Sequence, residues 1–257
     1  PALRSYEYPM NGFHEVVEMR FEMSFPWRSH LINQGYDFDT YAEVYKPVAP
    51  EGRSPRINDP ALYRAEDSDT AFLTNRFLEV MPAYSAASWF AHLTYIRPHP
   101  PLVAPAPYND MYAPGDMPLP TRHTSATKDA EVHPFFGPAQ KTASARDFIV
   151  GFHDLAATDE TIQTLRAVYL GLATEVDHHI GRVLQFLKDS GQYDNTMVVI
   201  TADHGPQPLE WIYAKTWSAH DLKASMNLAP VLIAQGALGH GLPVRDLQVS
   251  QQHRILV

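Results

Sequence analysis

Residues 171–205 read GLATEVDHHIGRVLQFLKDSGQYDNTMVVITADHG, and this stretch decides the fold. With the residues just before it, Ile162, Leu165, Tyr169, Leu172, Val176, Ile180, Val183 and Leu187 recur at steps of three or four, the period of an amphipathic helix. The helix is predicted to open after Thr158-Asp159-Glu160, with acidic residues in its first turn, and to close at Gly191 with a left-handed cap. His178 and His179, beside Asp177 and Glu175, are predicted on its polar, solvated flank. A turn at Tyr193-Asp194-Asn195 leads into residues 196–202, continuously apolar as in a strand covered on both faces. Asp203-His204-Gly205 follows where that strand stops.

Outward from this core, Ala229–Ala234 is a second buried run, and upstream Ala71, Phe72, Leu73, Phe77, Leu78 and Met81 predict a helix over 69–80. Trp89–Ile96 reads as a buried, aromatic-rich strand halted by Arg97-Pro98. Ten of the 22 prolines lie between Pro98 and Pro138, so this is a long loop, and Tyr108, Met111, Tyr112 and Met117 within it favour an ordered, packed one. Strands and helices of this kind predict an α/β sandwich, whose ligands gather at the carboxyl ends of strands.

Composition narrows the function. The 257 residues carry 20 Lys+Arg against 29 Asp+Glu, a net charge of -9, without a basic run, so nucleic acid is not an expected partner. There is no cysteine, which removes thiolate metal sites and a cysteine nucleophile from these residues. No apolar stretch approaches the ~20 residues needed to span a bilayer and the start has no signal-peptide core, so no membrane partner is expected and a soluble, cytoplasmic protein is favoured. The chain begins without Met and ends on the apolar run HRILV, which predicts a piece of a larger protein.

Asp203 and His204 offer an oxygen and a nitrogen donor to one divalent ion at the rim of the ligand crevice; on residue types alone they equally describe a pair capping a turn. The context is more specific. Tyr169, Asp177, Ile180-Gly181-Arg182, Leu187, Gly191, Asp194-Asn195-Thr196 and Asp203-His204-Gly205, in that order, resemble a stretch of the sulfatase branch of the alkaline phosphatase superfamily. Upstream, Trp89–Leu93 and Tyr95-Ile96-Arg97-Pro98-His99-Pro100-Pro101, continuing to Ala106-Pro107-Tyr108 and Asp116-Met117-Pro118, resemble the phosphonate monoester hydrolase and type I sulfatase group. The resemblance runs from about Gly12 to about Ala234 and is weakest between Thr121 and Thr158.

The resemblance implies an alkaline phosphatase-like α/β/α sandwich with a mostly parallel central sheet lacking its N-terminal strands, residues 1–257 forming one partial domain and 98–138 an active-site loop. It implies that Asp203 and His204 are half of a metal site for one Mn, Ca, Mg or Zn ion, and that His99 and Lys215 act as substrate-binding, catalytic residues. A Lewis acid with two cationic groups suits an anionic ester, whose non-bridging oxygens gain charge during reaction.

The chain also departs from the family pattern. The family's formylglycine nucleophile arises from Cys or Ser in a Cys/Ser-x-Pro-x-Arg motif preceded by paired aspartates. Ser24-Phe25-Pro26-Trp27-Arg28 spells the motif, yet no aspartate precedes Ser24, no Thr-Gly closes it, and Trp27, Leu31 and Gly35-Tyr36-Asp37 match a later family segment. Ser24 therefore reads as a loop residue ahead of a short helix, and formylglycine is expected outside this chain. After Gly205, Pro206–Trp211 intervenes where the family has Glu and then Gly-Asp-His, which bears on the placing of Lys215 and His220.

The function these residues imply is metal-dependent hydrolysis of small sulfate, phosphonate or phosphate esters by the whole protein, the fragment alone being inactive. The alternatives are a Ser/Thr-nucleophile phosphodiesterase of the same superfamily and an inactive homologue serving as a binding or assembly module. Related hydrolases often self-associate, which leaves a homo-oligomer open.

Overall fold

A computed structural model of the chain describes residues 16–19, 25–119, 126–131, 134, 137–138, 145–202, 231–235 and 254–256. The described strands are β1 (Val16–Glu18), β2 (Phe90–Leu93), β3 (Thr196–Ile200), β4 (Val231–Gln235) and β5 (Arg254–Leu256). The described α-helices include α1 (Phe25–Asn33), α2 (Asp69–Val80), α3 (Ala126–Ala130) and the long α4 (Asp159–Asp189).

The two principal helices stand where apolar spacing places them, and their ends explain why. Ser68 caps α2, its hydroxyl accepting from the Ala71 N–H at 3.0 Å. Thr158 caps α4 in the same way through the Thr161 N–H, and Gly191 follows with φ +68, the left-handed geometry a glycine adopts without steric cost. Both helices bury their stripes with α1 and β2 in one cluster, where Trp27, Leu31, Leu73, Phe77, Leu93, Val183 and Leu187 retain no more than 1% exposure. Cross-links that the one-dimensional pattern does not carry complete the cluster: the Trp27 indole donates to the Asp67 carbonyl at 2.8 Å, and that of Trp89 to the Gln192 side chain at 3.0 Å.

The strand order is β1-β5-β2-β4-β3. Each described pairing is antiparallel, in place of the mostly parallel sheet expected. A continuous apolar run reports burial and carries no information about direction, which depends on distant connections. Even so, β2 and β3 run the same way, because both are antiparallel to the β4 between them. β3 also differs from the doubly covered strand expected: Met197 and Ile200 are 45% and 51% exposed, and only Val198 packs on the core cluster. The ladder of β2 ends at Leu93, short of the predicted Ile96.

From Pro98 to Leu119 the proline-rich segment is ordered and lies against α4, as its aromatic residues predicted, although Met111 is exposed. The Gln163 side chain donates to the Met117 carbonyl, Arg166 to that of Pro118, and the Tyr112 and Thr174 hydroxyls share a 2.8 Å hydrogen bond. Beneath it Leu102, Ala104, Phe148, Ile149, Leu165, Val168 and Leu172 form a second core. Among the described residues no helix is long and apolar enough to cross a membrane.

Candidate functional site

The sheet brings the carboxyl ends of β2 and β3 to one edge. Val231 of β4 pairs with Leu93 of β2 on one side and with Ile200 of β3 on the other, so the carboxyl ends of β2 and β3 are level. Two strand spacings, about 10 Å, separate them. His99 follows one end and Asp203-His204 the other. Asp203, His204 and Lys215 lie outside the described residues, as do His220 and Ser24. Among the described residues no group of three His, Asp or Glu side chains is arranged to hold a metal. The carboxylate and imidazole of Asp203 and His204 are, by residue type, donors suited to Mg, Mn, Ca or Zn, so they fit a divalent ion.

His99 is exposed on a turn beyond residues 94–98, which follow β2, with cis peptide bonds at Arg97-Pro98 and Pro100-Pro101. Its Nδ1 stands 2.6 Å from the Pro100 carbonyl. A carbonyl only accepts, so Nδ1 carries a hydrogen in this contact. A groove of about 470 Å³ lined by Lys46, Val48, Arg53 and Leu62 does not include His99 and lies apart from this site.

Under the His99 turn is a buried charge cluster. The Arg97 guanidinium is 1% exposed and donates through Nε to Asp69, 3.1 and 3.3 Å from its two oxygens. Nη1 donates to the Pro101 carbonyl at 2.7 Å and Nη2 to the Tyr63 hydroxyl at 3.2 Å; the group also lies 5.2 Å from the centre of the Tyr45 ring. Asp69 in turn accepts from the Thr70 N–H. A buried ion pair survives the loss of its hydration only when further hydrogen bonds satisfy it, and here the guanidinium finds acceptors in three directions. Burial raises the Tyr45 and Tyr63 phenols far above their ordinary range, so both stay neutral.

Glu175 of α4 enters the same cluster fully buried, its carboxyl facing the Ser68 hydroxyl without a well-formed hydrogen bond. Burial pushes it up to about 8, Asp69 adding to the rise while Ser68 and Arg97 oppose it. At neutral pH it is protonated, which leaves Asp69 and Arg97 as a balanced pair. One turn further along, His179 is 5% exposed and pushed down to about 3 by burial, with Arg182 and His178 adding.

These positions correct the polar flank expected for α4: His178 is exposed as predicted, but His179 and Glu175 face inward. The signal was present, since Glu175 and His179 each lie three residues beyond a core position, Leu172 and Val176, and share their side of the helix. In the sequence Arg97 marks a strand stop and the head of the Arg97-Pro98-His99-Pro100-Pro101 motif, and Asp69 a helix opening. Their pairing spans 28 residues and leaves no local trace.

The sulfatase family model matches residues 4–241. A solved structure, the phosphonate monoester hydrolase SpPMH from Silicibacter pomeroyi, shares 58% identity and superposes with a TM-score of 0.77 over 91% of this chain and 46% of its own. The phosphonate monoester hydrolase of Agrobacterium radiobacter gives 30% identity and a TM-score of 0.64, covering 81% and 41%. The multifunctional alkaline phosphatase superfamily protein PehA of Trinickia caryophylli is 34% identical over 203 residues, 77% of this chain and 39% of PehA. The chain thus spans less than half the length of these relatives.

Proposed function

The chain belongs to the sulfatase family of the alkaline phosphatase superfamily, and from that premise we propose that the whole protein hydrolyses small anionic esters, phosphonate monoesters foremost and sulfate or phosphate esters with them. The observation that supports this most is the level pairing of Leu93 and Ile200 on Val231, which brings the carboxyl ends of the strands preceding His99 and Asp203-His204 in sequence to one sheet edge. The 58% identity with a phosphonate monoester hydrolase favours the phosphonate arm.

Asp203 and His204 would contribute two ligands to one divalent ion. When bound, that ion supplies Lewis acidity at a substrate oxygen. The remaining work falls to side chains of this chain. His99, with Nδ1 tied to the Pro100 carbonyl, presents Nε2 as the ring nitrogen that hydrogen-bonds a non-bridging oxygen. Lys215 adds a second positive charge there, so a protein of net charge -9 holds an anion through local potential. The nucleophile, a formylglycine by family resemblance, is drawn from outside these residues, and the chain by itself is one part of the domain.

The test is metal content and hydrolysis of chromogenic aryl phosphonate and aryl sulfate monoesters by the full-length protein. Asp203→Ala and His204→Ala are each expected to lose bound metal and activity, and His99→Ala to lose turnover with metal retained. Full activity in all three overturns the assignment, and metal binding without hydrolysis by the unaltered protein makes it a binding module.

A further inference from the structure

The reach of Arg97 extends beyond its ion pair. Its Nη1, 2.7 Å from the Pro101 carbonyl, is also 3.5 Å from the carbonyl of His99. Those two carbonyls flank Pro100, whose own carbonyl holds the His99 Nδ1. The guanidinium therefore grips the turn on both sides of the group that orients the imidazole. Its other edge is anchored to Asp69 in the first turn of α2, itself capped by Ser68 and buried in the main core. A continuous chain of contacts runs from the rigid start of α2, through a side chain sealed from water, to an exposed histidine.

We propose that Arg97, locked by Asp69, is a positioning residue for His99: it fixes the turn so that the Pro100 carbonyl keeps the imidazole in one tautomer and one orientation. The inference rests on the reading of His99 as a substrate-binding group and adds to it the device that sets its aim.

The chemistry favours an arginine for this task. The planar guanidinium offers donors at fixed angles to the carboxylate, the phenol and the turn carbonyls at once, whereas a lysine ammonium is a single point that engages one or two of them. An apolar pair of equal volume would fill the same space and avoid the desolvation of two charges. It would leave the Pro101 carbonyl without its donor and the turn free to pivot. Glu175, neutral beside the pair, leaves the guanidinium committed to Asp69 and the turn. Positional errors of about 1 Å in a reacting or binding group cost on the order of a hundredfold in rate, so a device of this kind acts on turnover more than on substrate capture.

The experiment is a pair of double-mutant cycles in the full-length protein, read as kcat and KM with a chromogenic aryl phosphonate monoester across pH, with thermal unfolding alongside. Arg97→Lys is expected to lower kcat by about 10- to 100-fold with KM changing less, and to shift the limb of the pH-rate profile that His99→Ala abolishes. Asp69→Asn, which keeps the shape and one acceptor, is expected to move the same quantities by a smaller factor, and it decides the matter if Arg97→Lys fails to fold. Combined with His99→Ala, neither change is expected to reduce kcat further, because both act through the same imidazole. Full additivity, with unchanged pH profiles in the single variants, assigns Arg97 and Asp69 to the fold alone and overturns the proposal while leaving His99 in its role. Full activity in His99→Ala overturns the reading of His99 itself, and the positioning role with it.

Discussion

The Tyr108 carbonyl occupies the space in which a side chain at Gly171 would begin: a Cβ there would lie 2.0 Å from the Tyr108 oxygen. Both partners are backbone, one in the middle of α4 and the other in the loop pressed upon it, so neither yields as a flexible side chain would. Gly171→Ala is therefore expected to lift the loop from the helix, weakening the Tyr112–Thr174 and Gln163–Met117 hydrogen bonds on either side. Alanine's better helix propensity returns about 1 kcal/mol, and the net loss is expected at about 1–3 kcal/mol. A denaturant midpoint at or above that of the unaltered protein would contradict the close approach.

Glu175 sets a pH dependence of stability. Its folded pKa, about 8, lies above the ordinary 4.5, so between those values the folded state holds a proton that the unfolded state has released. Stability is then fully present below 4.5 and falls as pH rises toward 8, by up to about 1.4 kcal/mol per pH unit. The groups around it are Ser68 and Asp69 at the start of α2, Arg97, the Tyr63 and Tyr108 phenols, and His179 one turn along α4. His179, pushed down to about 3, stays neutral in the folded state but takes up a proton in the unfolded state below its ordinary 6.5, so it opposes this slope there and leaves the Glu175 dependence exposed between 6.5 and 8. Glu175→Gln keeps the size and the neutral form, and is expected to flatten the slope in urea titrations of the full-length protein across this range. An unchanged slope would mean that Glu175 is ionised in the folded state.

What the sequence made legible follows from how local each signal is. The periodic stripe of α4, its Thr158 cap and the glycine past its end all lie within one helix, and they predict its bounds closely. The segment Arg97-Pro98-His99-Pro100-Pro101 was legible as a spelled motif. Strand direction was not, because pairing joins Leu93 and Ile200 to Val231 from far along the chain. The buried polar network has no local signal for a related reason. A charged residue in a pattern reads as solvent-facing until its partner is known, and Asp69 and Arg97 pair at a separation of 28 residues. Glu175 has no well-formed hydrogen bond to signal it, only its place on the apolar side of α4.

The capping of α2 also supports the cluster. Ser68 is fully buried, and its hydroxyl is the acceptor for the Ala71 N–H. Ser68→Ala is expected to destabilise the protein by about 1 kcal/mol through the lost cap. It also removes a group that opposes the rise in the Glu175 pKa, so the descent of stability with pH should extend upward beyond 8. A lost cap alone would lower stability equally at every pH, so measurements above and below neutrality separate the two effects.

Tyr63 offers a contrast with Arg97. Its hydroxyl accepts from Arg97 Nη2 at 3.2 Å, a different nitrogen from the Nη1 that donates to the turn carbonyls. Tyr63→Phe leaves that buried N–H without its partner, which costs about 1–3 kcal/mol of stability. The Nε contact to Asp69 and the Nη1 contact to Pro101 remain, and with them the grip on the His99 turn. The expected result is a lower unfolding midpoint with kcat and the pH-rate profile near those of the unaltered enzyme, the reverse of the pattern for Arg97→Lys. A fall in kcat as large as that for Arg97→Lys would mean that the whole guanidinium environment, and not its hold on the turn, governs the imidazole.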